Sequence, residues 1–242
     1  MTTTNAILKF ASIQGGTFQR KDLLFFVANH NPDIKKRAID LQLRRLVASG
    51  VVFRKRRGVY SIEENSLPEF IYKPSEKEKA MFMKLRTLFP FLKMCIWSPK
   101  VLSSFMLHVP NIGYCFLDVE KDGMESVFNA LQGMNHERKI LLLPSPTDCE
   151  RYLTGTDAIV VRKLIGESPL TEVEGCIVPR IEKILVDAID DNELLFASGS
   201  EIYNIYQYAL ERNNVNLNKL MRYASRRNRK EKVKQILNTI KQ

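Results

Sequence analysis

The chain has 242 residues, 45% of them hydrophobic, which suits one large or two smaller globular domains with a true core. Its apolar runs, such as Ile140 to Leu143, fall far short of the roughly 20 residues that cross a bilayer as a helix, and the start MTTTNAILKF lacks the cationic and apolar regions of a signal peptide. A cytoplasmic protein with no membrane partner is therefore expected. The net charge of +10 is unevenly laid out: residues 1–62 hold 12 Lys/Arg against 3 Asp/Glu, residues 63–218 hold 16 against 23, and residues 219–242 hold 9 against 1. Basic ends flanking an acidic middle point to polyanion binding by the ends.

In chain order, Thr3 to Ala11 predicts a short helix ended by Gly15 and Gly16. A second helix is expected after Thr17, with Leu23, Leu24 and Val27 inward, stopped by NHNP. A third is expected with Asn31 as N-cap, Pro32 in its first turn and Gly50 just past its end at Ser49. Ile39, Leu43, Leu46 and Val47 form its apolar stripe, which leaves Lys36, Arg37, Asp40 and Arg44 on the other side. The stretch GVVFRKRRGVYSI then places Arg54, Lys55, Arg56 and Arg57 at the tip of a hairpin that turns at Gly58.

Three helices followed by a cationic hairpin is the order of a winged helix-turn-helix, with the third helix for recognition and the hairpin as wing. Lys35, Lys36, Arg37, Asp40 and Arg44, with Arg54, Lys55, Arg56 and Arg57, are the expected DNA-binding residues. Wing cations displace condensed counterions from a phosphate backbone, and a guanidinium can bond bidentately to guanine. The expected partner is double-stranded operator DNA.

This domain is expected over residues 1–66, a linker over 67–78 and a larger domain over 79–242. Ser75 is a helix cap, and that helix presents Met81 or Phe82, Leu85, Leu88 and Phe89 before Pro90. Strands MCIWS, YCFLDVE, KILLLP and AIVVRKL alternate with helical patterns, so the fold class is α/β, mixed with α+β features. LTEVEGCIVP reads as two strands turning at Gly175, and about 179–242 reads as helices with apolar stripes. Between the last two helices, Arg222, Arg226, Arg227, Arg229 and Lys230 form either a solvated face or a docking surface.

Catalytic signals are sparse. Cys95, Cys115, Cys149 and Cys176 have neither zinc-ligand nor disulfide-framework spacing and read as buried thiols. His30, His108 and His136 lack ligand partners at i+3 or i+4, and no glycine loop suited to phosphates is present. The most enzyme-like patch is Asp118, Glu120 and Lys121, which lacks the acid, any residue, lysine spacing of a metal-dependent nuclease; Glu137 to Lys139 has that spacing without a paired aspartate. No catalytic residue, metal ligand or cofactor is assigned. A nuclease targeted by the winged domain and a ligand-sensing regulator are the alternative functions.

The segments LRRLVASGVVFRKRRGVYSI and VPRIEKILVDAIDD, continuing through EIYNIYQYALERNNVNLNKLMRYASRRNRKEKVKQIL, resemble the AbiEi-type antitoxin and transcriptional regulator family of type IV toxin-antitoxin systems. The resemblance implies a winged domain that represses its own operon and a C-terminal domain that counters a nucleotidyltransferase toxin, without need of a stable complex. It makes Arg222, Arg226, Arg227, Arg229 and Lys230 a candidate antitoxin surface.

Overall fold

A computed structural model describes residues 2–62, 67–134, 137–153, 155–189 and 191–240, with the side chains of Arg56, Asn192 and Leu195 also outside the description. His136 falls outside it as well. The chain divides into two compact units, Met1–Pro68 and Glu69–Gln242. Among the described residues, no helix is long and apolar enough to cross a membrane.

The first unit runs α1 (Thr3–Ile13), β1 (Thr17–Gln19), α2 (Arg20–His30), α3 (Lys36–Ala48), β2 (Phe53–Arg56) and β3 (Val59–Ser61). Its three strands pair antiparallel in the order β1-β3-β2, and its core holds Ile7, Phe10, Leu23, Val27, Ile39 and Leu43. This is the expected winged helix-turn-helix, with an additional strand, β1, at Thr17–Gln19, where the start of the second helix is expected from the sequence.

Helix α3 also begins later than expected. Asn31 ends α2, its N–H donating to the Val27 carbonyl, and the chain turns through Pro32 to Ile34 before Lys35 caps α3. The turn between two helices of this motif needs three or four residues of its own, so Pro32 cannot also open the second helix. The far end follows expectation. Gly50 sits at φ +72°, its N–H meets the Val47 carbonyl and that of Val51 meets Leu46, the paired bonds of a Schellman cap.

The second unit begins before the expected boundary. Tyr72, inside the stretch read as linker 67–78, is 6% exposed; its hydroxyl donates to Glu78 at 2.8 Å and accepts from the Ser98 N–H at 2.7 Å. Ser75 and Glu78 form a reciprocal capping box that opens α4 (Glu76–Leu88), a contribution of about 1 kcal/mol. Met81, Phe82 and Leu85 turn inward, while Leu88, expected on the same face, is exposed in the last turn.

Four strands form the central sheet, β4 (Met94–Trp97), β5 (Cys115–Val119), β6 (Lys139–Leu142) and β7 (Ala158–Lys163), in the order β4-β5-β7-β6. A 3-10 turn over Pro99–Phe105 stands where a helix was expected, and α5 (Met124–Gly133) and α6 (Pro146–Tyr152) carry the parallel crossovers. The runs CFLDV and AIVVR are buried throughout, as central strands of a sheet covered on both faces must be. Beyond them β8 (Leu170–Val173) and β9 (Cys176–Pro179) make a hairpin whose turn residues, Glu174 and Gly175, both have positive φ.

Helices α7 (Ile181–Asp187), α8 (Glu201–Arg212), α9 (Leu217–Arg226) and α10 (Lys230–Thr239) complete the unit. Most of their expected stripes are core, with Ile184, Leu185, Ile205, Tyr206, Leu220, Val233 and Ile236 buried, while Leu217, expected on the α9 stripe, is exposed in the first turn. All four cysteines are free and buried.

Candidate nucleic-acid interface

Helix α3 buries Ile39, Leu43 and Leu46, so the geometry of 3.6 residues per turn sends Arg37, Leu41, Arg44 and Ala48 to the opposite side, all exposed. Lys35 and Lys36 are exposed at its start. The helix lacks an acidic residue in its first turn, and no side chain caps it. Its N-terminus therefore adds the partial positive charge of the helix dipole to that of the cations.

In the wing, Arg54 pairs with Tyr60 and Arg56 with Val59, which leaves Lys55 as the extra residue of a bulge. Arg57 and Gly58 make the turn, with Gly58 at φ +78° where a side chain would be strained. Arg54 and Arg57 are exposed, and the Lys55 ammonium lies 6.0 Å from the centre of the Phe53 ring.

A groove of about 570 Å³ runs between α3 and the wing, lined by Arg20, Asp40, Arg44, Arg54, Arg57 and Tyr60 among others. It brings the helix and wing cations that the sequence suggested onto one concave surface. Asp40, also placed among the DNA-binding residues, has a different part. Arg20 donates to it through Nε and Nη2, both at 2.7 Å, and this hydrogen bonding, outweighing partial burial, keeps its carboxyl below the ordinary aspartate range. Asp40 is thus a carboxylate that holds a guanidinium in place, and an anion could not itself meet a phosphate.

Arg20 is the functional candidate that the sequence reading missed. It starts α2 directly after β1, and its backbone N–H bonds the Gly58 carbonyl, so the unrecognised strand is what carries it to the groove.

The tail cations divide. Arg222, Arg226 and Lys230 are exposed, with Arg226 paired to Glu167. Arg227 and Arg229 turn inward at the α9–α10 junction. Arg227 donates to Asp191 at 2.5 Å, and Arg229 donates to Asp191 at 2.6 Å and to the Val186 carbonyl at 3.1 Å. A docking surface that includes both is corrected accordingly: their charge is spent on internal aspartates.

Those contacts belong to a buried ionic network centred on Asp118 of β5. Its carboxylate accepts from Arg162 of β7 at 2.9 Å, from Lys183 of α7 at 2.6 Å and from the Trp97 indole at 3.0 Å. Lys183 also donates to Asp187 at 2.6 Å, and the Tyr223 hydroxyl reaches Asp187 at 3.0 Å. Burial raises the Asp118 pKa, but the charges of Arg162 and Lys183 outweigh it and bring it down to about 2. Glu120 and Lys121, grouped with Asp118 in the sequence reading, lie outside the network. Among the described residues no three His, Cys, Asp or Glu side chains are grouped to hold a metal ion. The network joins sheet, α7 and the tail helices, and its carboxylate oxygens are already occupied by protein donors.

A comparison with curated proteins finds no match. A family model described as a family of unknown function, DUF6577, matches residues 38–242, a span that takes in most of α3, the whole wing and the entire second unit. The chain belongs to the DUF6577 family.

Proposed function

We propose that this protein is a DNA-binding transcriptional regulator that grips duplex DNA with α3 and the wing of its first unit. The observation that carries the proposal is the shared groove: Arg44 from the helix and Arg54 and Arg57 from the wing line one concave surface, beside the exposed Lys35, Lys36 and Arg37. An α-helix fits the major groove while a wing follows the adjacent backbone. Asp40, held by Arg20, is the acidic residue lining that groove, and it is already paired.

Measured by fluorescence anisotropy, the full chain is expected to bind random-sequence duplex DNA at low ionic strength. The logarithm of its binding constant should fall linearly with the logarithm of salt concentration, by about 0.9 for each phosphate neutralised. Absence of duplex binding at low salt would remove the proposal.

The second unit, in this reading, is the antitoxin arm of a type IV toxin-antitoxin system and counters a nucleotidyltransferase toxin. Its support is the resemblance of the tail to AbiEi-type proteins, with Arg222, Arg226 and Lys230 as the cations left on the outside. A nucleotidyltransferase gene in the adjoining reading frame is the expected genomic setting, and its absence would count against this half alone.

A further inference from the structure

Leu41 is the one large apolar side chain exposed on α3 among the described residues, at 51% exposure. An isolated exposed leucine is ordinary on a protein surface. This one stands in the middle of the outward stripe, four residues after Arg37 and three before Arg44, on the face opposite Ile39, Leu43 and Leu46. Its neighbours along the helix are therefore cations suited to guanine edges, while the leucine offers nothing to a phosphate.

We infer that Leu41 reads a thymine methyl group in the major groove, between guanine contacts made by Arg37 and Arg44. The inference rests on the DNA-binding reading above and adds the chemistry that the recognition helix selects. At about 1.5 Å of rise per residue, Arg37 and Leu41 are about 6 Å apart along the axis, and Leu41 and Arg44 about 4.5 Å. Successive base pairs lie about 3.4 Å apart, so the three side chains fall over neighbouring steps of one short site. Of the base edges in the major groove, thymine alone presents a methyl group, and apolar side chains recognise it by contact, whereas arginine pairs with O6 and N7 of guanine. The recognised site is accordingly a short T·A step flanked by G·C pairs.

The test begins with selection of the preferred duplex from a random-sequence pool by the full chain. Each thymine of the selected duplex is then replaced in turn by uracil, which removes only the methyl group. Loss of one buried methyl corresponds to about a fourfold weaker binding constant, expected at one step of the site for the wild-type protein. Leu41→Ala, at an exposed helical position where alanine is well tolerated, should bind the thymine and uracil duplexes equally. Its salt dependence should match that of the wild type, because no charge is changed.

Equal binding of both duplexes by the wild type would overturn the inference, as would a uracil penalty that persists in Leu41→Ala. Salt-dependent duplex binding with no sequence enriched would overturn base reading by Leu41 and leave the regulator reading standing. No duplex binding at low salt would remove both.

Discussion

Replacing Asp118 with alanine is expected to cost about 3–5 kcal/mol, a large part of the 5–15 kcal/mol that a domain ordinarily has. Asp118 is 1% exposed, and its two oxygens receive Arg162, Lys183 and the Trp97 indole. Without it, Arg162 and Lys183 stay buried beside Asp187, leaving positive charge with too few partners in a medium that solvates it poorly. Urea unfolding of the full chain, followed by fluorescence, suits this test because the protein has one tryptophan and Trp97 is both buried and bonded to Asp118.

A double variant, Asp118→Leu with Lys183→Met, should recover much of the loss, since well-packed apolar pairs often replace buried ion pairs at little cost. A loss of less than about 1 kcal/mol for Asp118→Ala would show that the network adds little. The same network sets an acid limit. The Asp118 pKa is lowered on folding, so its contribution is fully present above the unfolded value of about 4 and is lost as pH falls through about 2. Asp118→Asn should flatten the stability profile within that window.

The sequence exposed the winged unit because each of its signals is local. The Ile39, Leu43 and Leu46 stripe, the glycine past the end of α3 and the tight turn at Gly58 all act within a few residues, and each is found in place. What was missed depends on contacts between distant residues. Three residues, Thr17–Gln19, are too few to show a strand's alternation, and they become β1 only by pairing with β3. The Asn31-Pro32 pair satisfies the rules for a helix start and equally those for a stop, and the length of the inter-helix turn decides between them.

In the second unit, Arg227 and Arg229 looked like the rest of a basic run. Their inward turn follows from Asp191, 36 and 38 residues away in the chain, which no periodicity reveals. In the sequence Asp118 reads only as part of an enzyme-like patch with Glu120 and Lys121, whereas in the structure it lies inside β5, and its partners Arg162 and Lys183 lie 44 and 65 residues further on. An acid inside such a strand indicates that a buried cation must exist, without saying which one.

Changing Arg54, Lys55, Arg56 and Arg57 together to alanine is expected to weaken duplex binding by the full chain by about two orders of magnitude or more at low salt. The slope of log binding constant against log salt should become shallower by about 0.9 for each phosphate released, hence by up to about 3 to 4. Arg54 and Arg57 are exposed beside the α3 groove, so replacing them removes charge without opening the core. The loss should be uniform across duplex sequences, because phosphate contacts set position and carry no base information. Arg37→Ala should differ in kind, by relaxing preference at one base pair. A companion variant with Arg222, Arg226 and Lys230 changed to alanine removes exposed charge from the tail and should leave the slope unchanged. If the tail variant lowered the slope and the wing variant did not, DNA binding would belong to the second unit, and the groove between α3 and the wing would be only a charged surface.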